Sequence, residues 1–499
     1  MKTVVKINPE EEYEKAKEIL ETSGVELLDT PSLHSLNSSL ENLITVARVL
    51  MEREEKRRGK KKDEVPKENK PKKGRKKGDK RKEIKKLPSE RYPNLEVKEK
   101  TIYPEKTPDC PCCGSEMKLS GLFDTTEKLE TIPKKYYIQR YKRPKFNCGK
   151  CHGAIVNTAA LPSIVSSSNY GDSMIIDATL SKFCDLIPME RYVQMAYRAE
   201  VIDLPPQSLI GLTHQLADFL YPIYSKLKGE VQTDEILLAD ETTHKMLEGD
   251  DTSSWYLWGF FNKRASYFEA HGTRSGDVAL EFLKGSKTKY LMTDGYAGYN
   301  KAVKTLKKES KRVVLLAGCN AHAIRYFKDA SDKWKEECEP FLIIYGKIYD
   351  LERQISSGEL KEDKQLELRK KMLPLFEDLR KKCETELAVA MPGSYFAKAL
   401  KYFLNQYNEL ILCTTNIAIP LDNNHSEREV RPSVVGRKTW YGTHSKRGAE
   451  TLQVHFSIVG SCKVNNINPR NYYAWIVDRI HKEKEVLTPY QYSQLKGIQ

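Results

Sequence analysis

The sequence lacks any run of about 18 or more apolar residues, the least that a membrane-spanning helix needs. Its first residues, Met1 to Leu20, are charged and amphipathic where a secretory leader would carry an apolar core. Both absences predict a soluble cytoplasmic chain with no membrane partner, nucleoid-associated if it handles DNA. The cysteine pattern of a disulfide scaffold is also missing. The count of 11 is odd, and Cys184, Cys319, Cys338, Cys383, Cys413 and Cys462 stand singly, while the other five crowd between Cys110 and Cys151. That distribution suits a reduced chain with one metal site. The body of the chain has little net charge: of the formal +14, most comes from 18 Lys and Arg against 5 Asp and Glu between Lys56 and Lys86. A general affinity for polyanions therefore rests on one segment, and the rest must hold nucleic acid through local basic patches.

At 499 residues the chain is long enough for several domains. Residues 1–55 carry helical spacing, with Leu40, Leu43, Ile44, Ala47 and Leu50 on one side of a candidate helix. Residues 56–105 read as a basic disordered linker, too charged to offset the ordering entropy of a packed fold. Residues 159–230 are helical, with candidate helices Met174 to Leu186, Met189 to Ala199 and Ser208 to Leu227, the last two separated by Leu204-Pro205-Pro206. This pattern fits a DNA-binding helix-turn-helix and fits packing alone equally well. A tail, 479–499, closes the chain.

Between them lies a region, 106–158, with two C-x-x-C knuckles, Cys110/Cys113 and Cys148/Cys151. Each pair supplies two thiolates from a tight turn, the spacing of a zinc ribbon holding one structural Zn²⁺. Cys112 and His152 stand beside the pairs as alternative ligands.

After Val231 the period changes. Glu235 to Ala239 reads as a buried strand ending in Asp240; Trp255 to Phe261 and Ser266 to His271 form a hairpin turning at Asn262-Lys263-Arg264. Ser275 caps a helix through Leu283, Lys289 to Thr293 is a strand ending in Asp294, and a further strand runs to Gly318. The order strand, strand, strand, helix, strand, helix, strand is that of an RNase H-type mixed sheet. Two strands ending in aspartates can bring their carboxylates together at one sheet edge, and a helix bearing Glu427, capped by Asp422 or Asn424, offers a third. Oxygen ligands of this kind suit a pair of Mg²⁺ or Mn²⁺ ions. Each acid alone has an ordinary explanation: a helix start at Asp240-Glu241, a turn at Asp294-Gly295, a surface ion pair between Glu427 and Arg431.

The blocks Leu238 to Thr242, Thr293 to Asn300, Cys319 to Arg325 and Asp422 to Lys438, with Trp440, Gly442, Ser445 and Gly448 beyond them, resemble the IS66 family of insertion-sequence transposases in content and order. The resemblance implies a multidomain α/β protein. Its RNase H-like mixed-sheet catalytic domain (231–323 and 418–478) is interrupted by an all-helical insertion (324–417) and preceded by a zinc ribbon and helical N-terminal regions. It also implies that Asp240, Asp294 and Glu427 are the catalytic, metal-binding acids. The implied partners are double-stranded DNA at element ends and target, a second copy of the chain on DNA, and small companion proteins of the same element.

Beside the acids a basic stretch carries Arg428, Arg431, Arg437, Lys438, Lys446 and Arg447, candidates for phosphate contacts. Trp440 is a candidate for base stacking and equally for core packing. His322 and Arg325 are possible accessory residues, His322 equally a structural histidine. Glu241 and Glu429 should point away from the site. Two rival readings remain: a nuclease or resolvase that cuts without strand transfer, and a zinc-ribbon DNA-binding protein with an inert catalytic domain. The long insertion weighs against the first, and the three acids against the second.

Overall fold

The computed structural model describes residues 87–102, 108, 111–116, 126–129, 134–147, 155–247, 254–358 and 360–498. The segments 1–55 and Lys56 to Lys86, and three of the four expected zinc ligands, Cys110, Cys148 and Cys151, lie outside them. The chain divides into two units, Met1–Thr131 and Ile132–Gln499. In the first, the one-turn helix Pro88–Arg91 is tied down by Ser89, whose backbone N–H and hydroxyl both donate to the Glu127 carboxylate at 2.8 Å.

The second unit opens with a small antiparallel pair, β1 (Lys145–Asn147) and β2 (Ile155–Asn157), in the register Asn147 to Ile155. Four helices follow: α1 (Asp172–Phe183), α2 (Met189–Tyr197), α3 (Pro206–Phe219) and α4 (Tyr221–Gln232). The single helix expected over Ser208 to Leu227 is thus two, broken at Leu220. Pro222 sits in the first turn of α4, where its missing N–H costs nothing, and there it favours a new helix start over continuation.

The central sheet contains β3 (Ile236–Lys245), β4 (Ser254–Phe261), β5 (Ser266–His271), β6 (Tyr290–Thr293) and β7 (Leu315–Gly318) in the order β5-β4-β3-β6-β7. β5, β4 and β3 pair antiparallel, and β3, β6 and β7 pair parallel. The hairpin turns where expected: the Asn262 side-chain oxygen accepts from Arg264 and Ala265 N–H at 2.9 and 2.8 Å. One strand differs from expectation. β3 runs five residues past Asp240, because Thr242, Thr243 and His244 pair with Leu257, Tyr256 and Trp255 of β4. Helices α5 (Gly276–Lys284) and α6 (Ala297–Ser310) make the crossovers.

Alternation along the strands divides the core. Leu237, Ala239, Trp258, Phe260, Tyr267 and Leu291 face one cluster, shared with α3, α4, α13 (Lys446–Val464) and α14 (Pro469–His481). Leu238, Leu257, Phe261, Phe268 and Met292 face the other, shared with α7 (Asn320–Ala330), α8 (Lys335–Ser356), α9 (Glu362–Val389), α10 (Tyr395–Asn405) and α12 (Asn424–Trp440). The edge strand β5 is closed by side chains of α13 spaced four apart. Gln453, Ser457 and Ser461 accept from the backbone N–H of Ala270, Phe268 and Ser266 at 2.8–3.0 Å. That arrangement leaves no open edge there for another strand.

α8 to α10, continued by the short α11 (Tyr407–Ile411), form a helical module between β7 and α12. α9 carries Pro374 within its span, and Gln406 separates α10 from α11. Arg369, fully buried on α9, ties the module together: its guanidinium donates to Cys413 and Ile419 carbonyls at 3.1 Å and to Glu352 at 2.8 Å. Among the described residues no helix is long and apolar enough to cross a membrane.

Candidate active site

Parallel pairing brings the two aspartates together. Leu238 of β3 stands opposite Met292 of β6, and the same register carried two residues further sets Asp240 beside Asp294 on strands about 4.8 Å apart. Past Thr293 the chain leaves the sheet through Gly295, whose φ of +92° is costly for any residue with a Cβ. The turn is fixed from both sides: Asp294 Oδ1 accepts from Tyr296 N–H at 3.0 Å, and its carbonyl accepts from the Tyr402 hydroxyl of α10 at 2.9 Å.

α12 brings the third carboxylate. The residue preceding it is Asn423, rather than Asp422 or Asn424, and Asn423 is wholly buried. Its amide donates to the Ala239 carbonyl at 3.0 Å, its side-chain oxygen accepts from Ser426 Oγ at 2.6 Å, and its backbone N–H meets Cys319 Sγ at 3.2 Å. The start of the helix is therefore bolted to β3 one residue before Asp240, and Glu427 stands on the following turn. Asp422 takes a lesser part, accepting from Asn424 N–H at 3.1 Å.

Asp240, Asp294 and Glu427 line one cavity of about 460 Å³, with Glu241, His322, Arg428 and Arg431 also in its wall. Burial, reinforced by the charges of Glu241, Asp294 and Glu427, pushes the Asp240 carboxyl up to about 8. Glu241 does not point away as expected. Its carboxylate is almost fully enclosed, takes two bonds from Arg274 at 3.0 and 2.7 Å, and accepts from the buried Tyr299 hydroxyl at 2.7 Å. Burial still raises it above the usual carboxylate range, with Tyr299 and Arg274 opposing. Glu429 does turn away, bonded to Ser266 Oγ of β5 at 2.8 Å.

Glu427 pairs with Arg325 of α7 at 3.2 Å, not with Arg431, and lies 3.6 Å from His322 Nδ1. Arg325 also reaches His322 Nε2 at 3.2 Å. Burial, then the Arg325 charge, lowers the His322 imidazole below its ordinary value. Cys319, His322 and Glu427 have their ligand atoms within 4.8 Å of one another. Burial lifts the Cys319 thiol to about 11, and its sulfur accepts from Asn423 N–H at 3.2 Å.

The basic candidates divide. Arg428 and Arg431 face the cavity, and Lys438 and Lys446 are exposed on α12 and α13. Arg437 instead donates to Thr243 on β3, and Arg447 to the His214 carbonyl and Asp218. Trp440 packs edge-on to Phe183 with ring centroids 6.5 Å apart, beneath Lys182 Nζ at 4.4 Å. Cys113 is exposed within 3.5 Å of Ser115 Oγ. Asn423, Tyr402, Arg274 and Tyr299 were not singled out in the sequence. Asn423 and Tyr299 fall inside the blocks Asp422 to Lys438 and Thr293 to Asn300, which was the only signal for them.

Two family models match this chain: one described as transposase IS66 family, over residues 167–451, and one described as zinc-finger binding domain of transposase IS66, over residues 108–152. Similar proteins in Sinorhizobium fredii (strain NBRC 101917 / NGR234) include the uncharacterized protein y4hP, 26% identical over 407 residues, covering 77% of this chain and 72% of its own length. Another, the uncharacterized protein y4qI, is 25% identical over 424 residues, covering 80% and 76%. The first family model spans more than half of the sequence and includes every wall of the cavity, so the chain belongs to the IS66 family of transposases.

Proposed function

We propose that this transposase cleaves DNA at the ends of a mobile element and joins the freed 3′ ends to target DNA, with Asp240, Asp294 and Glu427 holding two Mg²⁺ or Mn²⁺ ions on an RNase H-like sheet. The observation that carries the reading is that these three acids, with Glu241, line one half-buried cavity. The donor set fits hard divalent cations. Four carboxylates line the cavity beside His322, and Asp240 is held toward its neutral form by burial and by like charges that a bound cation would offset. Bound there, the ions would supply charge neutralisation and Lewis acidity for displacement at phosphorus.

The chain's own groups do the rest. Asn423 sets the spacing of the helix that bears Glu427 from the strand that bears Asp240. Arg274 and Tyr299 fix Glu241 in the cavity wall, and Tyr402 fixes the Asp294 turn. Arg428 and Arg431 would bind phosphates of the strand being cut; both line the cavity, and neither has a salt bridge among the described residues. No protein nucleophile is required, since water and then the 3′-hydroxyl can attack. On this reading 231–323 and 418–478 are the catalytic halves, 324–417 the insertion, and Cys110, Cys113, Cys148 and Cys151 a structural zinc site. A strand-transfer assay with end-bearing DNA tests it: joined product supports a transposase, cleavage without joining a nuclease, and neither an inert binder.

A further inference from the structure

We infer that Cys319, His322 and Glu427 form a second metal site, one that takes a borderline transition-metal dication such as Zn²⁺ rather than Mg²⁺. The inference rests on the reading above only for its consequence, since Glu427 would then serve two sites. Cys319 is the N-cap of α7, and His322 is the third residue of that helix. The three-residue spacing puts both side chains over one turn. Both meet the start of α12: Cys319 Sγ accepts from Asn423 N–H at 3.2 Å, and His322 Nδ1 lies 3.6 Å from Glu427 Oε1. The ligand atoms of all three lie within 4.8 Å of one another. The His322–Glu427 separation is already close to that of two ligands on one zinc ion with bonds of about 2.0–2.2 Å.

Two of the three groups are prepared for an ion. His322 Nδ1 is enclosed and has no hydrogen-bond partner among the described residues. A buried polar nitrogen left so is costly, and a metal ion there would satisfy it. Burial opposes ionisation of the Cys319 thiol, whereas backbone N–H groups of Asn423, His322 and Ala321 favour it. As the ion binds, the thiol proton passes to solvent and the sulfur takes the metal in its place.

The donor types set the class of metal. Mg²⁺ takes oxygen ligands, whereas one sulfur, one nitrogen and one oxygen suit zinc, which with three protein ligands keeps a fourth position for water. Arg325 holds the cation's place: its guanidinium is 3.2 Å from Glu427 Oε2 and 3.2 Å from His322 Nε2. About half exposed, it can swing into solvent when the ion enters. Displacing it lowers the affinity, so this site fills only when zinc is added, after the four thiolates proposed above. Once filled, it withdraws Glu427 from the catalytic acids and acts as a brake on cleavage.

The test titrates the full-length chain, carrying the zinc with which it is purified, with Co²⁺. A thiolate bound to Co²⁺ absorbs in the near ultraviolet, and wild type should take up one ion with that band. Cys319→Ser should lose the band. Cys319→Ser, His322→Asn and Glu427→Gln should each weaken uptake by more than about 100-fold, beyond the cost of losing a supporting contact. Arg325→Gln keeps all three ligands and removes the competing cation, so it should bind about threefold tighter or more, the worth of an exposed ion pair. Tighter binding cannot come from unfolding, which guards the other variants. No thiolate band in wild type, a band that survives Cys319→Ser, or displacement of the ion by Mg²⁺ overturns the site. A filled site that leaves Mg²⁺-dependent cleavage untouched supports the site and contradicts the catalytic role of Glu427.

Discussion

Asn423→Ala should destabilise the catalytic unit by about 2–4 kcal/mol, although the residue touches neither solvent nor a charged group. The substitution removes the amide that donates to the Ala239 carbonyl at 3.0 Å and the oxygen that accepts from Ser426 at 2.6 Å. Each orphaned buried partner costs about 1–3 kcal/mol, and relaxation recovers part of the sum. Ser426→Ala removes one of these bonds and should cost about 1–2 kcal/mol. Because the two share that bond, the double variant should fall short of the sum by about 1 kcal/mol. Urea denaturation followed by tryptophan fluorescence, to which Trp258, wholly buried on β4, contributes, reads the cycle. The bolt fixes a helix to a strand beside the acids, so end cleavage should fall more than duplex binding does. An Asn423→Ala cost below about 1 kcal/mol, or strict additivity, would refute the claim that this side chain positions α12.

Purified protein should carry one zinc per chain, lost in Cys148→Ser; four thiolates leave no open ligand position, so the loss should unfold the ribbon without touching the chemistry of the cavity. Metal analysis of both proteins is the check, and a folded ribbon free of metal would remove the site. Acid should also destabilise the fold through His455. This residue is fully buried, with ring nitrogens 3.0 Å from the Tyr473 hydroxyl and 3.1 Å from the Thr213 carbonyl, and burial lowers it to about 4. The unfolded chain takes up a proton below about 6.5 that the folded chain refuses, so stability is full above that pH and falls as pH drops toward 4, by about 2 kcal/mol between pH 7 and 5. Urea midpoints at the two pH values should show the drop, and His455→Gln should remove that share of it. An unchanged slope in the variant would place the acid sensitivity elsewhere.

The strands were legible in the sequence because their apolar runs are short, rich in leucine and aromatic residues, and bounded by turn residues. The aspartates were legible because each follows such a run, at Ala239 and at Thr293. Strand length was not: Thr242 to Lys245 look like a polar exit, and only pairing with β4 makes them strand. The helix break at Leu220 was hidden because Pro222 is compatible with a first turn as well as with a kink. The individual side-chain contacts of long sequence separation were out of reach. Nothing near Asn423 announces that its amide will meet a carbonyl 184 residues away, nor near Glu241 that Arg274 will draw its carboxylate into the cavity wall. A lone Glu on a polar helix carries no mark of its partner either, and Glu427 found Arg325 rather than the neighbour at helical spacing.

The most direct measurement compares wild type with Asp240→Asn, Asp294→Asn and Glu427→Gln in one assay that scores end binding, cleavage and joining with Mg²⁺ or Mn²⁺. Each substitution should abolish cleavage and joining together while leaving end binding intact, and pairing two of them should be hardly worse than one, as for residues acting as a unit. Glu429→Gln is the internal control, since its carboxylate faces Ser266 and not the cavity. Normal joining by Glu427→Gln, or equal damage from Glu429→Gln, would contradict the assignment of the third acid.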